Sequence, residues 1–298
     1  MERMFEIDSR YFNSLSRIFT PLVLDSVAEN GHSEYLTEVC GNSGIMQNID
    51  VSLQFSDFLD TIYNLLFKNY QNEYIYKNII ADKLLLDRHS VEDSRMLTEF
   101  RVGKCRADVV ILNGTSTVYE IKSQFDSFTR LNDQLDAYKQ VFDQIYVVTS
   151  PQQAEKLQDL ISEKIGILTL TEGDTISTIR ESVSNKHNIR AEVLFDSLRK
   201  QEYLQIIKIL YGTVPDVPNT QIFSECKDLF MKKEPNVVHD ITMKVLKNRS
   251  DSNLIRSFLE SAPRSLLAYI ISNVNKKTKL QALASMYTTE IGNILAAV

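Results

Sequence analysis

Between Met96 and Leu170 the chain carries five short β-type runs, MLTEFRV, ADVVIL, TVYEI, QIYVVT and GILTL, with helical stretches between the later ones. Strands interleaved with helices predict α/β organisation, in which the helices cover a sheet. The stretch from Ser127 to Phe142 places Leu131, Leu135, Tyr138 and Phe142 at spacings of four, three and four, the stripe of one amphipathic helix. Ser150-Pro151 predicts the start of another, with Ser as N-cap and Pro at the first helical position.

The flanks read as helix. Phe55, Phe58, Leu59, Ile62, Leu65 and Leu66 form one apolar stripe. In the next, Ile75, Ile79, Ala81 and Leu85 are expected to pack on a sheet while Glu73 and Lys77 stay outward. From Thr175 onward helical patterns return, interrupted by GTVPDVPNT, Pro235 and Pro263. The expected division is a helical N-terminal extension over 1–70, an α/β core over 71–174 and a helical C-terminal region over 175–298.

Composition narrows the function classes. A chain of 298 residues, 43% apolar and 24% charged, can bury one large core or two ordinary ones. No apolar run is long enough to span a bilayer, and the charged opening MERMFEIDSR is unlike a signal peptide, so a cytoplasmic protein with no membrane partner is expected. Cys40, Cys105 and Cys226 lie far apart, as do the four histidines, which supports neither a disulfide framework, a zinc motif nor a histidine triad. The net charge of −6 argues against a general nucleic-acid coat. It leaves room for a local basic patch, and Arg101, Lys104, Arg106, Lys122 and Arg130 cluster in sequence, either as such a patch or as a solvated face.

The chemistry concentrates between Arg106 and Ser123. An apolar strand carrying Asp108, the Asn113-Gly114 turn and a second strand carrying Glu120 and Lys122 form a hairpin, and residues two apart on a strand share a face. Asp108 meets Glu120 only if the loop has an odd residue count, such as Asn113 to Thr115; the two-residue turn favoured by Asn-Gly would set Asp108 opposite Tyr119. A three-residue or bulged turn is therefore expected, because an Asp on an apolar strand is costly to bury without a partner or ion. Two carboxylates beside an ammonium group can hold a hard divalent cation and place a water against a phosphate. Glu99 is either a third ligand or a solvent-facing strand residue, and Glu73 is a weaker candidate for that duty. Gln134 and Arg130, one helical turn apart, can both project from one helix edge toward the site. Tyr138 completes the apolar stripe and is core first, function second.

These residues resemble the PD-(D/E)xK nuclease superfamily, and within it a bacterial branch in which several motifs recur together. Here they are Glu99, Arg106 with Asp108, Glu120-Ile121-Lys122, Arg130, Leu131, Gln134 and Tyr138, and Phe142-Asp143. The match covers roughly residues 70 to 170, with Ala107 in place of the proline of the superfamily's name. The resemblance implies a restriction-endonuclease-like αβββαβ core with helical N- and C-terminal extensions. It also implies a Mg²⁺- or Mn²⁺-dependent endonuclease, acting on DNA ahead of RNA, in phage defence or DNA processing. Asp108, Glu120 and the carbonyl of Ile121 would ligate the ion, with Glu99 added. Lys122 would orient the water and Gln134 would assist, while Arg106, Arg130, Lys104 and Tyr138 would hold nucleic acid. A homodimer, or a protein partner on the helical extensions, is the expected protein contact. Two rivals stand beside this reading: a catalytically silent nuclease-fold binding module, and a regulatory protein gated by a partner.

Overall fold

All five β-type runs become strands of one mixed sheet, and a sixth strand joins them. The computed structural model describes residues 7–87, 93–171 and 173–296. In chain order the elements begin with α1 (Phe12–Ser16), α2 (Pro21–Asn30), α3 (Glu34–Asn42), α4 (Phe55–Asn69) and α5 (Glu73–Ile79), which runs on as a π-helix over Ile80–Leu86. The sheet region follows: β1 (Arg95–Val102), β2 (Cys105–Leu112), β3 (Ser116–Lys122), α6 (Leu131–Tyr138), β4 (Gln144–Thr149), α7 (Pro151–Leu160), β5 (Gly166–Thr171) and β6 (Thr175–Arg180). Then come α8 (Ala191–Asp196), α9 (Lys200–Tyr211), α10 (Ile222–Met231), α11 (Pro235–Lys247), α12 (Ser252–Leu259), α13 (Leu267–Asn273), α14 (Lys277–Met286) and α15 (Ile291–Ala296). They fall into two units, Met1–Asp82 with Asp251–Val298, and Lys83–Ser250.

The first unit is helical. The α4 stripe is buried along its whole length, as its period predicts. The stripe on α5 is also buried, but α5 packs on α4 and α13 within this unit. Asn78 ties the α5–α13 contact: its Nδ2 donates to Arg264 O at 2.8 Å and its Oδ1 accepts from Ala268 N at 2.9 Å. Asp25 on α2 does the same for its neighbours, accepting from Lys279 Nζ of α14 at 2.9 Å and from Tyr269 OH of α13 at 2.6 Å.

The second unit is built on the sheet, in the order β1-β2-β3-β4-β5-β6. β1, β2 and β3 form an antiparallel meander; β3, β4 and β5 run parallel, which requires the crossovers that α6 and α7 supply; β6 returns antiparallel on β5. Leu131 and Leu135 of α6, Leu157 of α7, Phe195 of α8 and Ile206 of α9 share one core with Val147 and Ile167 of the sheet.

Several expectations are corrected. Thr175–Arg180 is a strand, entered through Gly173 (φ +86°) and Asp174 (φ +62°), and the helical reading missed it because an edge strand exposed on both faces shows no apolar alternation. The helix expected over 127–142 spans only Leu131–Tyr138, although Phe142 remains buried against Tyr138 and Phe100. Ser150 is in N-cap position but its side chain makes no capping bond; Pro151 at the first helical position sets the start. The boundaries at 70 and 175 also shift: residues 175–250 fold with the sheet, and the last 48 residues, Asp251–Val298, fold with the N-terminal helices.

Candidate active site

The β2–β3 hairpin has the register that Asp108 requires. Pairing runs from Leu112↔Ser116 to Val109↔Tyr119 around the three-residue loop Asn113, Gly114 and Thr115, with Gly114 at φ +99°. One step further, Asp108 falls opposite Glu120 on the same face.

At that step the sheet opens. The β1–β2 pairing includes Thr98↔Val109 and Phe100↔Ala107 but skips Glu99 and Asp108 between them. Core residues step from Leu97 to Phe100 and from Val110 to Ala107, three positions where regular strands step by two. Both strands thus turn a face at one level, and Glu99 takes the left-handed conformation, φ +54°, which costs a residue with a Cβ. The kink brings the Glu99 and Asp108 carboxylates within 4.8 Å of each other, with Glu99 exposed and Asp108 half-buried.

Asp108 also closes the edge that β2 leaves. Its Oδ2 accepts from Ile121 N at 2.7 Å. The N–H and C=O of one strand residue face the same edge, so the Ile121 carbonyl is turned to the side of Asp108, while the Lys122 carbonyl faces β4 and accepts from Thr149 Oγ1 at 2.6 Å.

Glu120 sits in a different set of contacts. It is 1% exposed, its Oε1 lies 2.7 Å from Lys122 Nζ, and its Oε2 lies 2.7 Å from Tyr138 OH. Lys122 Nζ also donates to Gln134 Oε1 at 2.9 Å, so α6 reaches the site through Gln134 and, one turn on, Tyr138. Burial pushes the Glu120 carboxyl above its ordinary value, against the opposing pull of Lys122, Tyr138 and Gln134. Tyr138 is raised in turn by burial and then by the charges of Glu120 and Asp108, which keeps its proton in place as a donor.

The expected site residues therefore separate into two sets. Asp108, Glu99 and the Ile121 backbone gather at the kink; Glu120, Lys122, Gln134 and Tyr138 gather behind it. Glu120 was expected beside Asp108 and Glu99 as a ligand; it does not come within the same 4.8 Å of both, and its two oxygens are held by Lys122 and Tyr138. Tyr138 was expected to touch nucleic acid and is fully buried, so its role is to hold Glu120 and the Arg106 carbonyl, 2.8 Å from its hydroxyl. The side chains of Arg106, Lys104 and Arg130 are exposed. Glu73 belongs to the other unit. The sequence reading missed Cys105, whose thiol is raised by burial and by Glu120; its place on β2, three residues before Asp108, was the available signal. It also missed the turn after β3, where Ser123 N and Oγ both donate to Asp126 Oδ2, at 2.8 and 2.7 Å.

Comparison with known proteins gives the chain a family. A family model described as Bacteriophage P4 protein cII matches residues 67–287. Protein cII of Enterobacteria phage P4 is 26% identical over 180 residues, 59% of this chain; the chain spans 60% of that relative's length. Among solved structures, a protein of unknown function from Silicibacter pomeroyi aligns over 41% of this chain and 82% of its own, at 17% identity and a TM-score of 0.28, too low to carry an argument. With the family match extending through the sheet, the kink and most of the helical tail, the chain belongs to the bacteriophage P4 protein cII family.

Proposed function

We propose that this protein is a metal-dependent nuclease of the PD-(D/E)xK type, hydrolysing phosphodiester bonds in DNA. The observation that carries the proposal is the kink in β1 and β2. It sets the Asp108 carboxylate against Ile121 N, turns the Ile121 carbonyl to the same edge and brings Glu99 to Asp108, next to the strand that carries Glu120 and Lys122. The helix α6 after the three-strand meander, followed by β4, supports the same restriction-endonuclease-like core.

Carboxylates and a carbonyl are hard oxygen donors, which suit Mg²⁺ or Mn²⁺. Asp108, Glu99 and the Ile121 carbonyl would hold the ion, with Glu120 behind them fixing Lys122. When bound, such an ion polarises a phosphate and lowers the pKa of its water. The chain's own contribution lies in Lys122. Its ammonium is held on Glu120 Oε1 and Gln134 Oε1, a fixed positive charge one residue beyond the Ile121 carbonyl, able to offset charge developing on a phosphate. Arg106, Lys104 and Arg130, exposed, would attract the phosphate backbone. The test is cleavage of labelled single-stranded and duplex DNA with Mg²⁺ or Mn²⁺, and with EDTA.

A second reading rests on Glu120 alone. A carboxylate 1% exposed, with both oxygens engaged, is also what a silent binding module built on this fold would keep for stability. DNA binding that is equal in Mg²⁺ and EDTA, with no cleavage in either, is its signature.

A further inference from the structure

The β1–β2 hairpin sets two arginines against each other. Its tip is a two-residue turn, Gly103-Lys104, with Gly103 at φ +57°, the left-handed conformation that a tight hairpin turn requires there. The turn fixes the register Val102↔Cys105, Arg101↔Arg106 and Phe100↔Ala107. Phe100, Val102 and Ala107 belong to the core, so alternation sends Arg101 and Arg106 to the opposite face, and both are exposed. Residues directly opposite in an antiparallel pair carry their Cβ atoms about 4.5–5.5 Å apart, and like charges there repel. Among the described residues neither arginine forms an ion pair; Arg101 Nε donates to the Gly103 carbonyl at 3.2 Å. Charge on an outermost strand such as β1 keeps other strands from pairing with it, but Arg106 lies on β2, between β1 and β3.

Two guanidinium groups side by side with no carboxylate between them form a fork for an anion, and phosphate matches their geometry. The place of the pair says which phosphate. Glu99 and Asp108, at the kink, stand two residues from Arg101 and Arg106 on the same two strands, a span of at most about 7 Å. A nucleic-acid strand with one phosphate at the kink can therefore lay its next phosphate between the arginines. We infer that Arg101 and Arg106 clamp one backbone phosphate of the DNA, the neighbour of the phosphate held at the kink. This rests on the proposed nuclease site and adds to it a subsite that directs the strand along the β1–β2 hairpin.

Arg101→Gln, Arg106→Gln and the double variant separate a clamp from a diffuse basic patch. Without DNA, at low salt, each single variant should have a higher urea midpoint than the parent, because one of two repelling charges is gone, and the gain should shrink in high salt. With labelled single-stranded DNA in EDTA, each should bind about 10- to 100-fold more weakly, the worth of hydrogen bonds to a charged group. The slope of log K against log salt should fall by about 0.7 in the double variant, the value of one phosphate on a single strand; a fall of about 1.4 would mean two separate phosphates and overturn the clamp. The full set of effects in a protein that never cleaves would sustain the clamp and sink the catalytic reading. Parent-like binding and slope in variants of a protein that cuts DNA with Mn²⁺ would overturn the clamp while the nuclease reading stood.

Discussion

Tyr138 places its hydroxyl 2.7 Å from Glu120 Oε2 and 2.8 Å from the Arg106 carbonyl, joining α6 to both strands of the hairpin that carries the candidate site. The hydroxyl has one proton for two acceptors, so Glu120 depends on Lys122 as its main counter-charge. That dependence makes the pair sensitive to the loss of either member.

Lys122→Met should therefore destabilise the protein by about 3 kcal/mol, because it strands a buried carboxylate. Glu120→Gln in the same background should recover part of the loss. Urea denaturation of the two single variants and the double variant measures this. Simple additivity, or a Lys122→Met variant as stable as the parent, would show that the pair is not coupled as described.

A second prediction concerns the far face of the sheet. Tyr119 and Tyr146 are paired across β3 and β4 with rings stacked at 5.6 Å, and Tyr146 is paired in turn with Gly166 on β5. A Cβ at Gly166 would collide with the Tyr146 ring and lie 2.9 Å from Ser182 N. Gly166→Ala should cost about 1–3 kcal/mol, and Gly166→Ala with Tyr146→Ala should cost less than the sum of the two single changes. Thermal unfolding in the four backgrounds decides it.

A third concerns pH. His239 on α11 is fully buried, with Nε2 2.8 Å from Ser116 Oγ, and Ser116 Oγ in turn accepts from Asp143 N at 3.0 Å. Burial depresses the pKa of His239 below its ordinary value, against the pull of Asp240 at 3.3 Å and Asp143, and with the help of Lys186. A depressed folded-state pKa contributes stability above the unfolded value, about 6.5, that is lost as pH falls through the folded one. Urea midpoints between pH 7.5 and 5 should fall more steeply in the parent than in His239→Gln; parallel slopes would contradict the assignment.

Much of this could be read from the residues. The strands were legible because apolar runs flanked by turn residues leave little alternative, and the three-residue loop followed from the need to pair Asp108 with Glu120. β6 was not, since Thr and Ile at an edge exposed on both faces carry no period. Nor was the kink: nothing in Thr98-Glu99-Phe100 marks a left-handed glutamate, because the turn of face is imposed by packing Leu97 and Phe100 into one core. The separation of Glu120 from Asp108 and Glu99 follows from Tyr138 and Lys122, whose contacts span helix and strand and leave no mark in local sequence.

The central claim is that Asp108 serves a metal-dependent cleavage site. Asp108→Asn retains an oxygen able to accept from Ile121 N while removing the charge, so the fold should persist. Single-stranded DNA incubated with Mn²⁺ should be cut by the parent, spared in EDTA, and cut at least about a thousandfold more slowly by Asp108→Asn, the scale of several kcal/mol of lost transition-state stabilisation. Cleavage by the folded Asp108→Asn variant at the parent's rate, or in the presence of EDTA, would contradict the account.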